Sequence, residues 1–290
     1  MRLKRNVCSG AGIIMFLFAI IIFITASFSS PALEARTTWT SELVHRTIKS
    51  KNPDYNDGAV FVIEDNEVVA LDLSRANVDD LSFLKEMTGL NSLDMRGLPV
   101  KDLTPLSGLQ LKTLGIEDTQ VEDLTPLEGM PIEALYLNNT KVKEINVLSG
   151  MPLKILNLYS TEVRDIRAIE TMKRLEYLWL NETQVEDISP LSGCPLVSLT
   201  LHKTKVKDLQ PLADIKTLQR LHIAETEITD LTPIKNLKLS RLIYTPNNII
   251  EGNEIPRQMG SLREIGTTFE NRTTPKIFWQ INERGDFKRD

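Results

Sequence analysis

A repeat of 21 or 22 residues runs through the middle of this 290-residue chain and constrains its fold more than any other feature. Nine copies of a pattern close to LxxLxLxxTxVxDLxPLxG fall between Leu71 and Ile249. By subtraction of residue numbers, 21 or 22 residues separate their anchor leucines, which are Leu71, Leu93, Leu114, Leu135, Leu156, Leu178, Leu199, Leu221 and Leu242. Such a period is typical of a solenoid, in which each unit buries its apolar face against its neighbours. We therefore expect one elongated domain that works by binding.

Each repeat begins with a short strand and continues into a buried turn. Leu178 and Leu180 alternate with Trp179 and Asn181, which predicts a strand with one buried face in a parallel sheet. A threonine follows three residues after the second leucine, and we expect its hydroxyl to satisfy a backbone group of the next turn. This threonine recurs as Thr119, Thr140, Thr161, Thr183, Thr204 and Thr226.

The second half of each repeat predicts a short helical or 3₁₀ turn on the opposite side of the solenoid. In several repeats a Ser or Thr is followed by Pro, as in Ser189–Pro190 and Thr104–Pro105. We expect the Ser or Thr to be the N-cap and Pro the first helical residue. An acidic residue two positions earlier, such as Asp102 or Asp187, is interpreted as turn chemistry and solvation.

With these residues in place, the chain resembles the leucine-rich repeat family in its bacterial 21–22-residue form, similar to internalins. The resemblance implies an α/β fold: a curved right-handed solenoid with a parallel sheet on its concave face, short helical or 3₁₀ turns on its convex face, and a cap at each end. The flanks Lys51–Gly58 and Ile265–Phe287 resemble the borders of repeat regions that some bacteria attach to Ser/Thr kinases or export alone. The chain itself has neither a glycine-rich kinase loop nor an HRD motif.

We divide the chain into residues 1–35, 36–65, 66–252 and 253–290. The first segment has a basic start, an apolar stretch and then small residues, which predicts a cleaved signal peptide or a retained membrane anchor. Either outcome places the repeats outside the cytoplasm, secreted, periplasmic or anchored by a single N-terminal transmembrane helix. A retained leader would contact the membrane.

The two segments next to the repeats are expected to be caps, because the ends of a solenoid expose a core layer. The N-terminal cap should contain a helix from Thr40 to Lys49 and strands at Ala59–Ile63 and Val68–Leu73. The C-terminal cap should contain a truncated tenth repeat with Met259, Leu262 and Ile265, and a helix from Pro275 to Ile281 that brings Phe278 and Trp279 over the stack.

A binding surface is predicted on the concave face, where outward side chains flank the strand leucines. The chain is only 6% aromatic, yet four aromatic residues fall on three adjacent repeats among polar ones. Such a cluster favours a contact surface, although the rings could equally pack on each other and cover the sheet. The candidate partner-binding residues are Tyr136, Asn138, Asn157, Tyr159, Tyr177, Trp179, Asn181, His202, Arg220 and His222.

The charged residues and the histidines of this face indicate what kind of ligand it could bind. The early repeats place Asp72, Asp94, Glu117 and Asp118 on this face, whereas the late repeats place His202, Lys203, Arg220, His222 and Arg241 there. This gradient could orient a polar partner, or it could be a solvated surface. Strand geometry puts the two histidines roughly 8 Å apart, so we expect no metal site. We also expect Cys194 to be a small buried side chain.

These observations favour a non-catalytic scaffold for protein–protein interaction. We find no Ser/His/Asp set, no phosphate-binding glycine loop and no basic stripe, and the net charge is −5. We therefore expect no enzyme activity, no cofactor and no nucleic-acid partner. The alternative is a receptor for a carbohydrate or another small ligand, since aromatic rings with amides suit sugar faces.

Overall fold

The computed structural model describes residues 37–283. Within that range the chain forms one open sheet of eleven strands, in which each strand pairs with the next along the sequence. The strands are β1 (Val60–Glu64), β2 (Glu67–Asp72), β3 (Ser92–Asp94), β4 (Thr113–Gly115), β5 (Ala134–Tyr136), β6 (Ile155–Asn157), β7 (Tyr177–Trp179), β8 (Ser198–Thr200), β9 (Arg220–His222), β10 (Arg241–Ile243) and β11 (Glu264–Gly266). The helices are α1 (Ser41–Lys51), α2 (Ile255–Gln258) and α3 (Pro275–Glu283).

The anchor leucines set the register of the sheet, as the repeat predicts. From β2 to β11 all pairs are parallel, and the central residue of each strand faces the central residue of the next. Leu135, Leu156 and Leu178, for example, lie side by side and are at most 1% exposed. Their side chains form the core of the solenoid. We call the opposite surface of the sheet the concave face.

Short 3₁₀ helices form the side across the core from the sheet, as expected. Their bounds are Ser82–Glu86, Thr104–Leu106, Thr125–Leu127, Asn146–Leu148, Arg167–Thr171, Ser189–Leu191, Gln210–Leu212, Thr232–Ile234 and Pro246–Asn248. The predicted Ser or Thr N-cap is wrong, because Leu103 and Leu124 occupy the cap position without a side-chain bond. The aspartate two residues before the helix caps it instead, by accepting a hydrogen bond from the first helical N–H. Asp102 Oδ1 accepts the Thr104 N–H at 2.8 Å, and Asp187 Oδ1 accepts the Ser189 N–H at 2.8 Å.

The threonines are buried as expected, but they bond within their own repeat and not to the next turn. Six hydroxyls donate to the carbonyl oxygen three residues earlier at 2.6 to 2.7 Å. The residue before each threonine has a positive φ, such as 57° at Asn139 and 58° at Glu182. This left-handed residue turns the chain back, which brings the threonine hydroxyl to the carbonyl oxygen three residues earlier.

The N-terminal cap contains the predicted helix and two strands. Thr40 is the N-cap of α1, and its Oγ1 accepts the Leu43 N–H at 3.2 Å. The helix continues to Lys51, two residues beyond the prediction. Strands β1 and β2 form an antiparallel hairpin with an irregular register at Val62 and Ile63, and β2 then begins the parallel array.

The C-terminal cap also follows the predicted pattern. Met259, Leu262 and Ile265 are buried, and Ile265 extends the row of anchor leucines from its place in β11. Helix α3 buries Phe278 completely. Trp279 lies half-buried beneath the Arg257 guanidinium group, 4.7 Å from the ring centre, which fits its expected role in the cap. The helix reaches Glu283, the last of the described residues and two beyond the predicted Ile281.

The predicted signal peptide or anchor, residues 1–35, lies outside the described residues. Across residues 37–283, none of the helices has the length and apolar character needed to cross a membrane.

Candidate functional site

Tyr177 and Trp179 form a stacked pair on the concave face. They are two residues apart in β7, so both point away from the core that Leu178 enters. Their ring centres are 6.3 Å apart and the planes differ by 19°. Arg220 lies two strands away in the register and places its guanidinium group 5.6 Å from the Tyr177 ring centre. All three side chains are half-buried, so each keeps part of its surface open to solvent.

The other two predicted aromatic residues do not join this pair. Among the described residues, Tyr177–Trp179 is the only ring contact within the set of four. Tyr136 is half-buried in β5, where its strand partner is Gly115, and burial raises the pKa of its phenol, with the charge of Glu117 adding to the effect. Tyr159 is half-buried just after β6. The aromatic surface is therefore a compact pair with two outlying tyrosines.

The predicted asparagines are used mainly inside the fold. Asn157 is 7% exposed, so its expected exposure is wrong. Its Oδ1 accepts the Tyr159 N–H at 3.0 Å, a local turn that the side chains of Asp72 and Asp94 repeat at their own strands. Asn181 is half-buried and its Oδ1 accepts a hydrogen bond from the Thr200 hydroxyl. Asn138 is half-buried.

The two predicted histidines stack on each other, which corrects their expected separation of roughly 8 Å. Their ring centres are 4.8 Å apart and the planes differ by 19°. Strand geometry fixes backbone positions and leaves rotamers open, and both rings turn toward each other. His202 is half-buried and donates from Nδ1 to the Ala224 carbonyl at 3.1 Å.

His222 is 5% exposed, so its expected exposure is also wrong. Phe269, from the loop after β11, covers it edge-on with ring centres 4.8 Å apart. Neither ring nitrogen has a hydrogen-bond partner among the described residues. Burial lowers the pKa of His222 to about 3, and the neighbouring His202 adds to the effect. Within residues 37–283, no group of three or more His, Cys, Asp or Glu side chains is placed to hold a metal ion.

The acidic end of the concave face is partly neutral. Glu117 Oε2 is buried without a hydrogen-bond partner among the described residues, and burial raises the pKa of this carboxyl to about 7. Gly115 makes room for it, because a Cβ there would lie 2.8 Å from Oε2. Asp94 is paired with Arg96 at 2.5 Å, and burial raises its pKa as well. The missing side chain of Gly115 is the sequence signal that could have indicated the burial of Glu117.

The basic end is also partly compensated. Arg241 is bonded to Glu264, and Arg272 lies 3.7 Å from the same carboxylate. Together with a neutral His222, these pairs make the charge gradient weaker than the formal charges indicate. Sequence reasoning also missed Phe269, because the repeat pattern ends before the loop that carries it and gives no register for its position.

No model of a protein family and no curated protein matches the chain. Solved structures do match. The internalin InlF of Listeria monocytogenes has a TM-score of 0.59 at 23% identity, over 77% of this chain and 73% of that one. Internalin C2 of the same organism has a TM-score of 0.59 at 23% identity, over 69% and 91%. The plant peptide hormone receptor RGFR1, in complex with RGF2, has a TM-score of 0.52 at 19% identity, over 62% and 32%.

These neighbours and the sheet describe the same architecture. Parallel strands in register, one per repeat, alternate with short 3₁₀ helices in an open array, as the repeat spacing predicts. The predicted fold class is therefore confirmed: the chain has the leucine-rich repeat fold, a solenoid with its parallel sheet on the concave face.

Proposed function

We propose that this protein is a non-catalytic scaffold that binds a protein partner on its concave face, with Trp179 at the centre of the contact. The observation that carries the proposal is the stacked Tyr177–Trp179 pair with Arg220 beside it. Tyr, Trp and Arg are the residues that most often dominate the binding energy of protein interfaces. Here they lie half-buried and pack on one another, which limits the side-chain freedom that binding would remove.

A solved structure with the same fold also supports a role in binding a protein partner. A structure of the plant receptor RGFR1, which shares the fold, contains its ligand RGF2. The site residues proposed for this chain do not come from that structure. They come from the side chains that its own strands place on the concave face.

The test is to capture the partner with tagged full-length protein and to titrate the purified partner by calorimetry. We expect Trp179→Ala to weaken binding by about 2 kcal/mol or more, because central aromatic side chains dominate interfaces. Lys143→Ala is the control, since the Lys143 side chain is 61% exposed and is paired with the exposed Glu162 at 3.3 Å. A Trp179→Ala variant that binds like the wild type, with binding lost in Lys143→Ala, would move the active surface to the rim of the solenoid.

We further propose that the repeats work outside the cytoplasm, either released after cleavage of residues 1–35 or anchored by them. Fusion of residues 1–40 to a reporter that is active only after export should give signal, because a basic end followed by an apolar stretch directs export. An expressed but silent reporter would contradict this. N-terminal sequencing of the exported protein would separate cleavage from anchoring.

Carbohydrate binding is the alternative, favoured by the flat Tyr177–Trp179 pair. The amide oxygens of Asn157 and Asn181 are already engaged within the fold, which leaves fewer acceptors for sugar hydroxyls. A glycan array that gives Trp179-dependent signal, together with an empty protein capture, would favour this alternative over the protein scaffold.

A further inference from the structure

The loop from Thr267 to Arg272 places one aromatic side chain on the concave face. The loop leaves β11 and returns through a bridge between Ile265 and Thr273, with both backbone bonds at 2.9 Å. Asn271 organises it, since its Oδ1 accepts the N–H groups of Thr267 and Thr268 at 2.9 and 2.8 Å. The result is a compact cover that brings Phe269 onto His222.

The surface beneath Phe269 is a shelf of two stacked rings, His202 and His222. His222 is in β9, the strand that also carries Arg220, so the shelf continues the surface of the Tyr177–Trp179 pair. An aromatic ring meets this shelf edge-on, which is a favourable geometry for aromatic pairs.

Phe269 does not satisfy the polar groups of the His222 ring that it covers. Phe269 remains 38% exposed, whereas His222 beneath it is 5% exposed and has two ring nitrogens without partners within residues 37–283. A buried polar atom without a hydrogen bond costs free energy, and the hydrocarbon ring of Phe269 cannot supply one. A tyrosine hydroxyl or a tryptophan indole N–H in its place can donate to a His222 nitrogen, so a partner ring of this kind would remove a cost that Phe269 leaves. The Arg272 guanidinium group, 5.2 Å from the Phe269 ring centre, opposes the exchange, whereas the bonds of Asn271 lie within the loop and can persist while the ring moves.

We propose that Phe269 occupies a subsite for an aromatic side chain of the partner, and that the partner's ring replaces it on the His202–His222 shelf. This rests on the proposed function, because it adds a second aromatic contact to the surface around Trp179. The partner segment would then carry an aromatic residue with a polar edge, Tyr or Trp, at the position that reaches His222.

The test needs no partner and uses the full chain with ¹³C-labelled histidine, followed by NMR. The probes are indole and, as a non-aromatic ring of similar bulk, cyclohexanol. Phe269→Ala empties the subsite, so indole should bind it and shift the His222 Cε1 resonance through its ring current. The wild type should show the same shift at a concentration roughly tenfold higher, because indole must first displace Phe269. Cyclohexanol should shift neither protein.

Ile250→Ala is the matched control, since Ile250 is a large apolar side chain that is 77% exposed, and it should behave like the wild type. If Phe269→Ala unfolds the C-terminal cap, Phe269→Leu decides, because it keeps apolar bulk without a ring and should let indole compete better than in the wild type. The proposal is overturned if indole leaves His222 unshifted in the folded variant, if cyclohexanol binds equally, or if the wild type never responds. None of these results bears on Trp179, so the proposed scaffold function would stand.

Discussion

At the scale of single residues, the Glu117 carboxyl group should destabilise the fold at neutral and alkaline pH. Its pKa is about 7 in the fold against an ordinary 4.5, so its contribution to stability is complete below pH 4.5 and is lost as pH rises through 7. Glu117→Gln removes the charge and keeps the shape. We expect the variant to raise the free energy of unfolding at pH 8 by roughly 1–3 kcal/mol, measured by urea denaturation.

Asp118→Asn is the control for Glu117, because Asp118 is the exposed neighbour and asparagine tolerates its positive φ of 57°. It should change stability little at either pH. At pH 4, Glu117→Gln should be close to the wild type. An equal gain at both pH values would show that the effect is not electrostatic.

His222 gives the opposite dependence on pH. Burial lowers its pKa to about 3 from an ordinary 6.5, so its contribution is complete above pH 6.5 and is lost as pH falls toward 3. By pH 5 the expected loss in free energy of unfolding is about 2 kcal/mol. His222→Leu should remove this part of the acid dependence, whereas His202→Gln should retain most of it. Urea denaturation at pH 5 and pH 7 measures both, and the same slope in all three proteins would contradict the assignment.

The sequence predicted the direction of these side chains but not their burial. Alternation with Leu156 and Leu221 places Asn157 and His222 on the outward side, and that is where they lie. Their burial depends on contacts that no periodicity encodes: the N–H of Tyr159 for Asn157, and the rings of His202 and Phe269 for His222. Outward and exposed are therefore different properties on a crowded sheet face.

At the scale of the strand, Leu156 and Asn157 form a matched pair in β6. Leu156→Asp places an unpaired carboxylate between Leu135 and Leu178 and should cost several kcal/mol, enough to melt adjacent repeats. Asn157→Asp keeps an acceptor for the Tyr159 N–H, as Asp94 does for the Arg96 N–H, so its carboxylate retains a hydrogen bond and should cost clearly less than that of Leu156→Asp. Thermal melting of the two variants tests this, and similar losses in both would refute the assignment of inward and outward faces.

Turns were harder to predict than strands at this scale. The Ser/Thr–Pro pair correctly marks where four of the 3₁₀ helices begin, but the bond to the first N–H of each comes from the aspartate two residues earlier. Bonding to the threonine hydroxyl and N–H lowers the pKa of Asp102, as expected for a carboxylate that accepts hydrogen bonds. Sequence spacing identifies the residues of a turn, whereas the partner of each polar group depends on backbone angles that the pattern does not contain.

At the scale of the whole molecule, the repeat was sufficient to predict the architecture because each unit contacts only its neighbours. Register and strand order both follow from one period. The candidate surface was less predictable. Tyr177, Trp179 and Arg220 meet as the alternation implies, but Phe269 reaches the same face from outside the repeat, where no periodicity applies.

The same nearest-neighbour architecture predicts how the molecule opens. Phe278 and Phe83 are both fully buried, one in the C-terminal cap and one in the first 3₁₀ helix, so replacing either with Ala should cost about 3–5 kcal/mol. In a solenoid, this loss of stability should promote local unfolding first in the repeats nearest the substituted residue. Hydrogen exchange should therefore accelerate in β11 and β10 for Phe278→Ala, in β2 and β3 for Phe83→Ala, and least in β6 for both. Equal acceleration in every strand would show instead that the stack opens as one cooperative unit.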